Sequence, residues 1–252
     1  MTSIILCGCG GRMGKAITAA AQGEYDIIAG VDINASALAT ACSFPVYENI
    51  SDFTGKADAI VDFSHHSALP ALVDYAQRTS TPLVVATTGH TEDEIALMRA
   101  ASENVAIFHS GNFSIGINLI MSLARQAART LGVDFDVEII EKHHNKKLDA
   151  PSGTALMLAN AVAGEREESE YVYDRHSIRK ARESREIGIH SVRGGTIVGE
   201  HEVIFAGTNE IVTVSHSAAS REIFATGALK AAAYVSKKAP ALYDMNDLIE
   251  GK

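Results

Sequence analysis

The chain has 252 residues, a formal charge of −9 from 31 acidic and 22 basic side chains, and 46% hydrophobic residues. This excludes a mainly disordered chain and describes one large or two small globular domains. The acidic balance argues against nucleic acid as a partner, because displacing counterions from phosphates needs a broad basic surface; an anionic ligand has to be held by a local cluster of cations. Cys7, Cys9 and Cys42 are an odd, unpaired set. They make a poor disulfide framework, are too tightly spaced at 7 and 9 for a zinc knuckle, and suit a reducing compartment. No signal-peptide core and no apolar run of roughly 18 residues is visible, so the expectation is a cytoplasmic protein without a membrane partner.

In chain order, Ile4 to Cys7 reads as a strand ending in glycines, followed by a helix from Lys15 to Gln22. Ile27 to Val31 is a second strand ending at Asp32, and Ala59 to Phe63 a third, with a helix running on to Arg78. Pro82 to Ala86 and Val105 to Phe108 are the fourth and fifth strands, separated by an acidic helix start at Glu92 to Glu94. These runs are continuously apolar, as strands covered on both faces of a parallel sheet must be, and the βαβα rhythm predicts a doubly wound α/β domain. After Asn112 the texture changes: a helix from Ile115 to Arg129, a strand from Phe135 to Ile140, a polar stretch from Glu141 to Asp149, and a helix opening at Pro151. Gly164 to Arg185 reads as a charged surface loop with some helix. Ile187 to Val192, Thr196 to Phe205 and Ile211 to His216 are strand-like with no helix between them, which predicts an open antiparallel or mixed sheet in a second, α+β domain. Phe224 to Lys238 is helical again. The expected organisation is a domain of residues 1–114 completed by 217–252, and a second domain of 115–216.

Two stretches carry chemistry. Gly8-Cys9-Gly10-Gly11-Arg12-Met13-Gly14 lies between the first strand and the first helix, and Asp32 ends the second strand 24 residues after Gly8. Met13 stands where the usual G-x-G-x-x-G would place glycine, but the physics is the same: a tight turn, backbone N–H groups that approach a pyrophosphate, and an acid for the ribose hydroxyls. The competing reading is a plain glycine turn. Ala86-Thr87-Thr88-Gly89 and Ser110-Gly111-Asn112-Phe113 end two further strands and face the same crevice, with turn and capping roles as the alternative. The second stretch is Glu141 to Thr154, where His143, His144, Lys146 and Lys147 precede a Pro151-Ser152-Gly153-Thr154 helix start. Histidine donates a proton near neutral pH, lysine supplies fixed positive charge, and Ser152, Gly153 and Thr154 at a helix N-terminus suit a carboxylate. A metal site is the weaker alternative, since adjacent histidines do not share a face, and a solvated loop is another. The remaining histidines read as structural or surface groups, with His201, in a Gly199-Glu200-His201 turn, and Arg193 as possible exceptions.

These motifs, with Asn112-Phe113-Ser114-Ile115-Gly116, Val198 to His201 and Ser215 to Arg221, resemble over essentially the whole chain the bacterial 4-hydroxy-tetrahydrodipicolinate reductases, also called dihydrodipicolinate reductases. The resemblance implies a reductase of the diaminopimelate–lysine pathway that uses NADH or NADPH on a cyclic dicarboxylate. It implies a Rossmann-type N-terminal domain and a substrate domain whose sheet builds a homotetramer. His143 resembles the proton donor and Lys147 the second catalytic residue; His144, Lys146, Ser152, Gly153 and Thr154 fall in the substrate-binding segment. Gly8, Cys9, Gly10, Gly11, Arg12, Met13, Asp32, Ala86, Thr87, Thr88, Ser110, Gly111, Asn112 and Phe113 match the cofactor-binding segments, and no metal is implied. Ile33 is a departure, standing where members that favour the phosphorylated cofactor often carry arginine, so the expected preference is NADH. Other reductases of small anionic substrates and a non-catalytic dinucleotide-binding protein remain the rival readings.

Overall fold

The computed structural model describes residues 1–251. The first stretch comprises β1 (Thr2–Cys7), α1 (Arg12–Ala20), β2 (Tyr25–Val31), α2 (Ala35–Leu38), β3 (Val46–Tyr47), β4 (Ala59–Asp62), α3 (Leu69–Thr79), β5 (Leu83–Val85), α4 (Glu92–Ala101) and β6 (Ile107–His109). There follow α5 (Ile115–Leu131), β7 (Asp136–His143), α6 (Gly153–Ala163), β8 (Glu170–Val172), β9 (Glu186–Arg193), β10 (Gly199–Ala206) and β11 (Ile211–Ala218). The chain closes with α7 (Glu222–Val235), β12 (Leu242–Tyr243) and α8 (Met245–Glu250). By its internal contacts the protein divides into one compact unit of residues 1–115 and the segment from Glu222 onward, and another of Gly116–Arg221.

The first unit is built on a seven-stranded, all-parallel sheet in the order β12-β6-β5-β4-β1-β2-β3. Successive residues of β1 enter opposite cores. Ile4 and Leu6 join the layer formed with α1 and α7, while Ile5 and Cys7 join the layer formed with α3 and α4. This is why the run shows no polar alternation, and each buried isoleucine or leucine contributes about 2 kcal/mol. The order reverses between β1 and β4, and at such a switch point a crevice opens outside the carboxyl ends of the strands. Helix α7 approaches that edge closely: a side chain at Gly227 would run into the Phe113 carbonyl.

The second unit carries a five-stranded mixed sheet in the order β11-β10-β7-β9-β8, antiparallel on both sides of β10 and parallel elsewhere. Along β7 the burial alternates: Val137, Ile139, Glu141 and His143 are buried and the residues between them are partly exposed. The buried phase faces a core made with α5 and α6.

Several local expectations need correction. Residues 164–185 contain the edge strand β8 and no helix. Arg175 and Arg182 fasten this stretch to Glu138, and Arg175 also binds Glu186. Gly199-Glu200-His201 is the start of β10 and not a turn, because both of its edges are paired. Pro151 lies before the helix: Ser152 is the cap of α6, and its hydroxyl accepts the Ala155 N–H at 3.2 Å, a role proline cannot fill. Helix α1 begins at Arg12, three residues early, because Gly11 already serves as its cap.

Candidate active site

The glycine loop requires glycine at two positions. Gly8 has φ +76°, and a side chain at Gly14 would strike the carbonyls of Gly8 and Cys9. Asp32, just past β2, accepts the Gly10 N–H at 3.0 Å and the Asn34 N–H at 2.9 Å. Gly8, Gly10, Gly11, Asp32, Ile33, Ser64 and His65 line a cleft of about 640 Å³. Arg12 is exposed and Met13 half-buried at the start of α1. The Cys9 side chain turns inward, with its sulfur against Gly30, and burial pushes its thiol up to about 11; only its backbone faces the loop.

Ala86, Thr87 and Thr88 follow β5, and Ser110, Gly111, Asn112 and Phe113 follow β6; neither segment lines that cleft. Thr87 spends its hydroxyl on Asp62, 2.7 Å away, which also takes the Ser64 hydroxyl and N–H. Asp62 is a residue the sequence reading passed over. Its carboxyl is raised by burial against those hydrogen bonds, and it ties the turn after β4 to the turn after β5. Ser110 shares hydrogen bonds with the Asn112 backbone, Asn112 Oδ1 accepts the Ser114 N–H at 2.8 Å, and Phe113 packs between Phe63 and Phe108. The donor set, glycine cradle and strand-end acid fit a dinucleotide.

In the second unit the end of β7 meets the start of α6. Glu141 is fully buried. Its Oε2 lies 2.5 Å from Nδ1 of His143, its Oε1 accepts the Ser152 N–H at 3.0 Å, and Arg193 binds both oxygens at 2.7 Å. Burial would raise this carboxyl, but Arg193, His143, Ser191 and the Ser152 N–H outweigh it and hold it down at about 2. Burial lowers His143, against the pull of Glu141. His201, in register with Glu141 across the ladder, lies ring to ring with His143 at 5.2 Å and 3.2 Å from the Ser152 hydroxyl; burial and the neighbouring His143 push it down to about 4.

His143 is the last residue of β7 and lies on its buried phase, while His144, just past the strand, lies 3.4 Å from Arg221. Lys147 pairs with Asp149 at 2.9 Å, and Lys146 is exposed. Ser152 was expected to face a carboxylate, yet its side chain is buried and both its N–H and its hydroxyl have internal partners. Gly153 opens α6 with empty space where a side chain would stand, and Thr154 follows it in the first turn. The arrangement combines an inward histidine on a carboxylate, a lysine and a helix N-terminus, which suits proton delivery to a bound anion.

A family model described as "Dihydrodipicolinate reductase, N-terminus" matches residues 2–113, and one described as "Dihydrodipicolinate reductase, C-terminus" matches residues 116–249. The 4-hydroxy-tetrahydrodipicolinate reductase of Caldanaerobacter subterraneus is 49% identical over 253 residues, covering 99% of both chains. That of Clostridium tetani is 45% identical, covering 99% of this chain and 97% of its own. A solved structure, a dipicolinate-bound dihydrodipicolinate reductase from Paenisporosarcina sp. TG-14, aligns with a TM-score of 0.79 at 26% identity, over 98% of this chain and 99% of that one.

Proposed function

The chain belongs to the dihydrodipicolinate reductase family, and on that premise we propose how its residues divide the work. It is an oxidoreductase that reduces 4-hydroxy-tetrahydrodipicolinate with a nicotinamide dinucleotide, in diaminopimelate and lysine biosynthesis. The bound dinucleotide supplies hydride to the substrate ring.

The observation that carries the assignment of roles is the inward His143, its Nδ1 on a buried carboxylate, beside the N-terminus of α6. With Nδ1 so engaged, Nε2 is the atom that delivers the proton. Lys147 is the second catalytic group. Its ammonium is 2.9 Å from the exposed Asp149 carboxylate, a weak partner that a substrate carboxylate displaces at small cost. Gly153 and Thr154 receive one carboxylate at the helix N-terminus, and His144 and Lys146 add positive charge or hydrogen bonds around the dianion. Ser152 serves by framing this pocket and makes no direct contact.

In the first unit, Gly8 to Met13 hold the pyrophosphate, Asp32 the adenosine ribose, and the segments 86–88 and 110–113 the nicotinamide end. Asp32 accepts hydrogen bonds from both ribose hydroxyls of NADH, but meets a 2′-phosphate in NADPH with no cation at the next two positions, the 86% exposed Ile33 and Asn34. NADH is therefore the preferred cofactor and NADPH a usable one. A homotetramer is the proposed assembly: the apolar residues Val192, Ile211 and Val212 on β9 and β11 are exposed in the single chain. Three free thiols suit the cytoplasm. Among the described residues no helix is long and apolar enough to cross a membrane.

A coupled assay with enzymatically generated substrate, following oxidation of NADH and of NADPH, tests the reading. Turnover with both and a higher kcat/KM for NADH is the expected result. A clear preference for NADPH overturns the reading of Asp32 and Ile33, and no turnover with either overturns the activity.

A further inference from the structure

Glu141 lies on the inward phase of β7, where its strand neighbours are Val137, Ile139 and His143. A fully buried carboxylate is costly unless all its lone pairs are used, and here they are. One oxygen faces the histidine ring and the other holds the backbone of the α6 cap. The fork of Arg193 spans both, and its remaining contacts are the carbonyls of Asp149 and Val192. The same carboxylate therefore touches three segments that have to agree in position: the end of β7 with the proton donor, the N-terminus of α6, and the end of β9.

We propose that Glu141 is the positioning residue of this site, fixing the His143 ring with its proton-delivering Nε2 away from the carboxylate and holding the α6 N-terminus at the matching distance, while Arg193 shares the carboxylate and limits how strongly it attracts the His143 proton. The proposal rests on the assignment of His143 as donor. It makes the network a three-way balance of one anion between two cations, and it gives opposite signs for removing the anion and removing the competing cation. The other titratable groups facing His143 are Lys147, paired with Asp149, and His201 from β10; neither residue is replaced in the two variants below.

The test is the titration of the His143 ring by histidine NMR in the free protein, assigned by difference with His143→Ala, together with the pH profile of kcat. In Glu141→Gln the imidazolium loses its counter-charge, so the His143 midpoint and the high-pH limb of kcat move down by about 1 unit or more. The maximal kcat falls about 10²-fold, the low end of a positioned proton donor's contribution, with KM for NADH unchanged. In Arg193→Gln the competing cation is lost while the Ser152 N–H stays on the other oxygen, so the midpoint moves up. Opposite shifts show that both charges act on the His143 ring, and a fall in maximal kcat with KM for NADH unchanged is what separates a positioning role from support of the fold, which lowers thermal stability alone. An unmoved His143 midpoint in either variant, or a shift of the wrong sign, overturns the proposal; should Glu141→Gln fail to fold, the Arg193→Gln titration decides alone. The donor assignment fails separately, if His143→Ala retains near-native kcat.

Discussion

At the scale of single residues the two halves of the site call for different measurements. Replacing His143 or Lys147 by alanine is expected to lower kcat by about 10²–10⁴-fold, the range for a positioned proton-transfer group, with little change in NADH affinity because both residues belong to the second unit. Near-native kcat in either variant would remove that residue from the mechanism. Ile33→Arg addresses the cofactor. Ile33 is already solvent-exposed, so the change costs no core packing and adds a bidentate phosphate partner next to Asp32. The wild-type preference for NADH is expected to be about 3- to 30-fold in kcat/KM, or about 0.7–2 kcal/mol, and the variant should shift the ratio towards NADPH. Kinetics with both cofactors on both proteins measure this, and an unmoved ratio refutes the assignment of position 33.

At the scale of elements, the glycine loop is decided by space. An alanine at Gly14 has to push against two backbone carbonyls, those of Gly8 and Cys9, which cannot rotate away as a side chain would. Gly14→Ala is expected to destabilise the protein by about 1–3 kcal/mol, as overpacking does, and to weaken NADH binding more than tenfold. Thermal melts and NADH fluorescence titration read the two effects, and native affinity would show that the loop does not form the pyrophosphate cradle. This loop was legible in the sequence because its parts are consecutive, and so were the apolar strands of the first unit, whose burial on both faces leaves a continuous pattern. What stayed hidden depends on contacts distant in sequence. Glu141 lies 52 residues from Arg193 and 11 from Ser152, so nothing local marks it except an acid falling on the buried phase of a strand. Gly199-Glu200-His201 looks like a turn until the pairing of β10 with β7 and β11 is known. Ser152 looks like a ligand contact until Glu141 and His201 take its polar groups.

At the scale of the whole molecule, the two units carry different responses to acid. In the second unit His201 is depressed to about 4 and His143 is also lowered, so the unfolded chain binds protons that the folded one refuses. Stability from His201 is present above the unfolded value of about 6.5 and is lost as pH falls towards 4, on the order of 3 kcal/mol for this buried ring. Glu141, held at about 2, extends the loss: its contribution is present above the unfolded value of about 4.3 and disappears as pH falls towards 2. In the first unit His109 is lowered and acts in the same direction, but Asp62 is raised by burial and acts in the opposite one, gaining stability as it protonates in acid. Acidification from pH 7 to pH 4 is therefore expected to loosen the second unit before the first. Hydrogen exchange read by mass spectrometry should show β7, β10 and α6 losing protection while β1, β4 and β5 keep theirs. His201→Gln removes the titrating ring and should flatten the fall in melting temperature between pH 6.5 and 4. Equal loss of protection in both units, or an unchanged slope in the variant, would show that the buried histidine cluster does not set the acid limit of the protein.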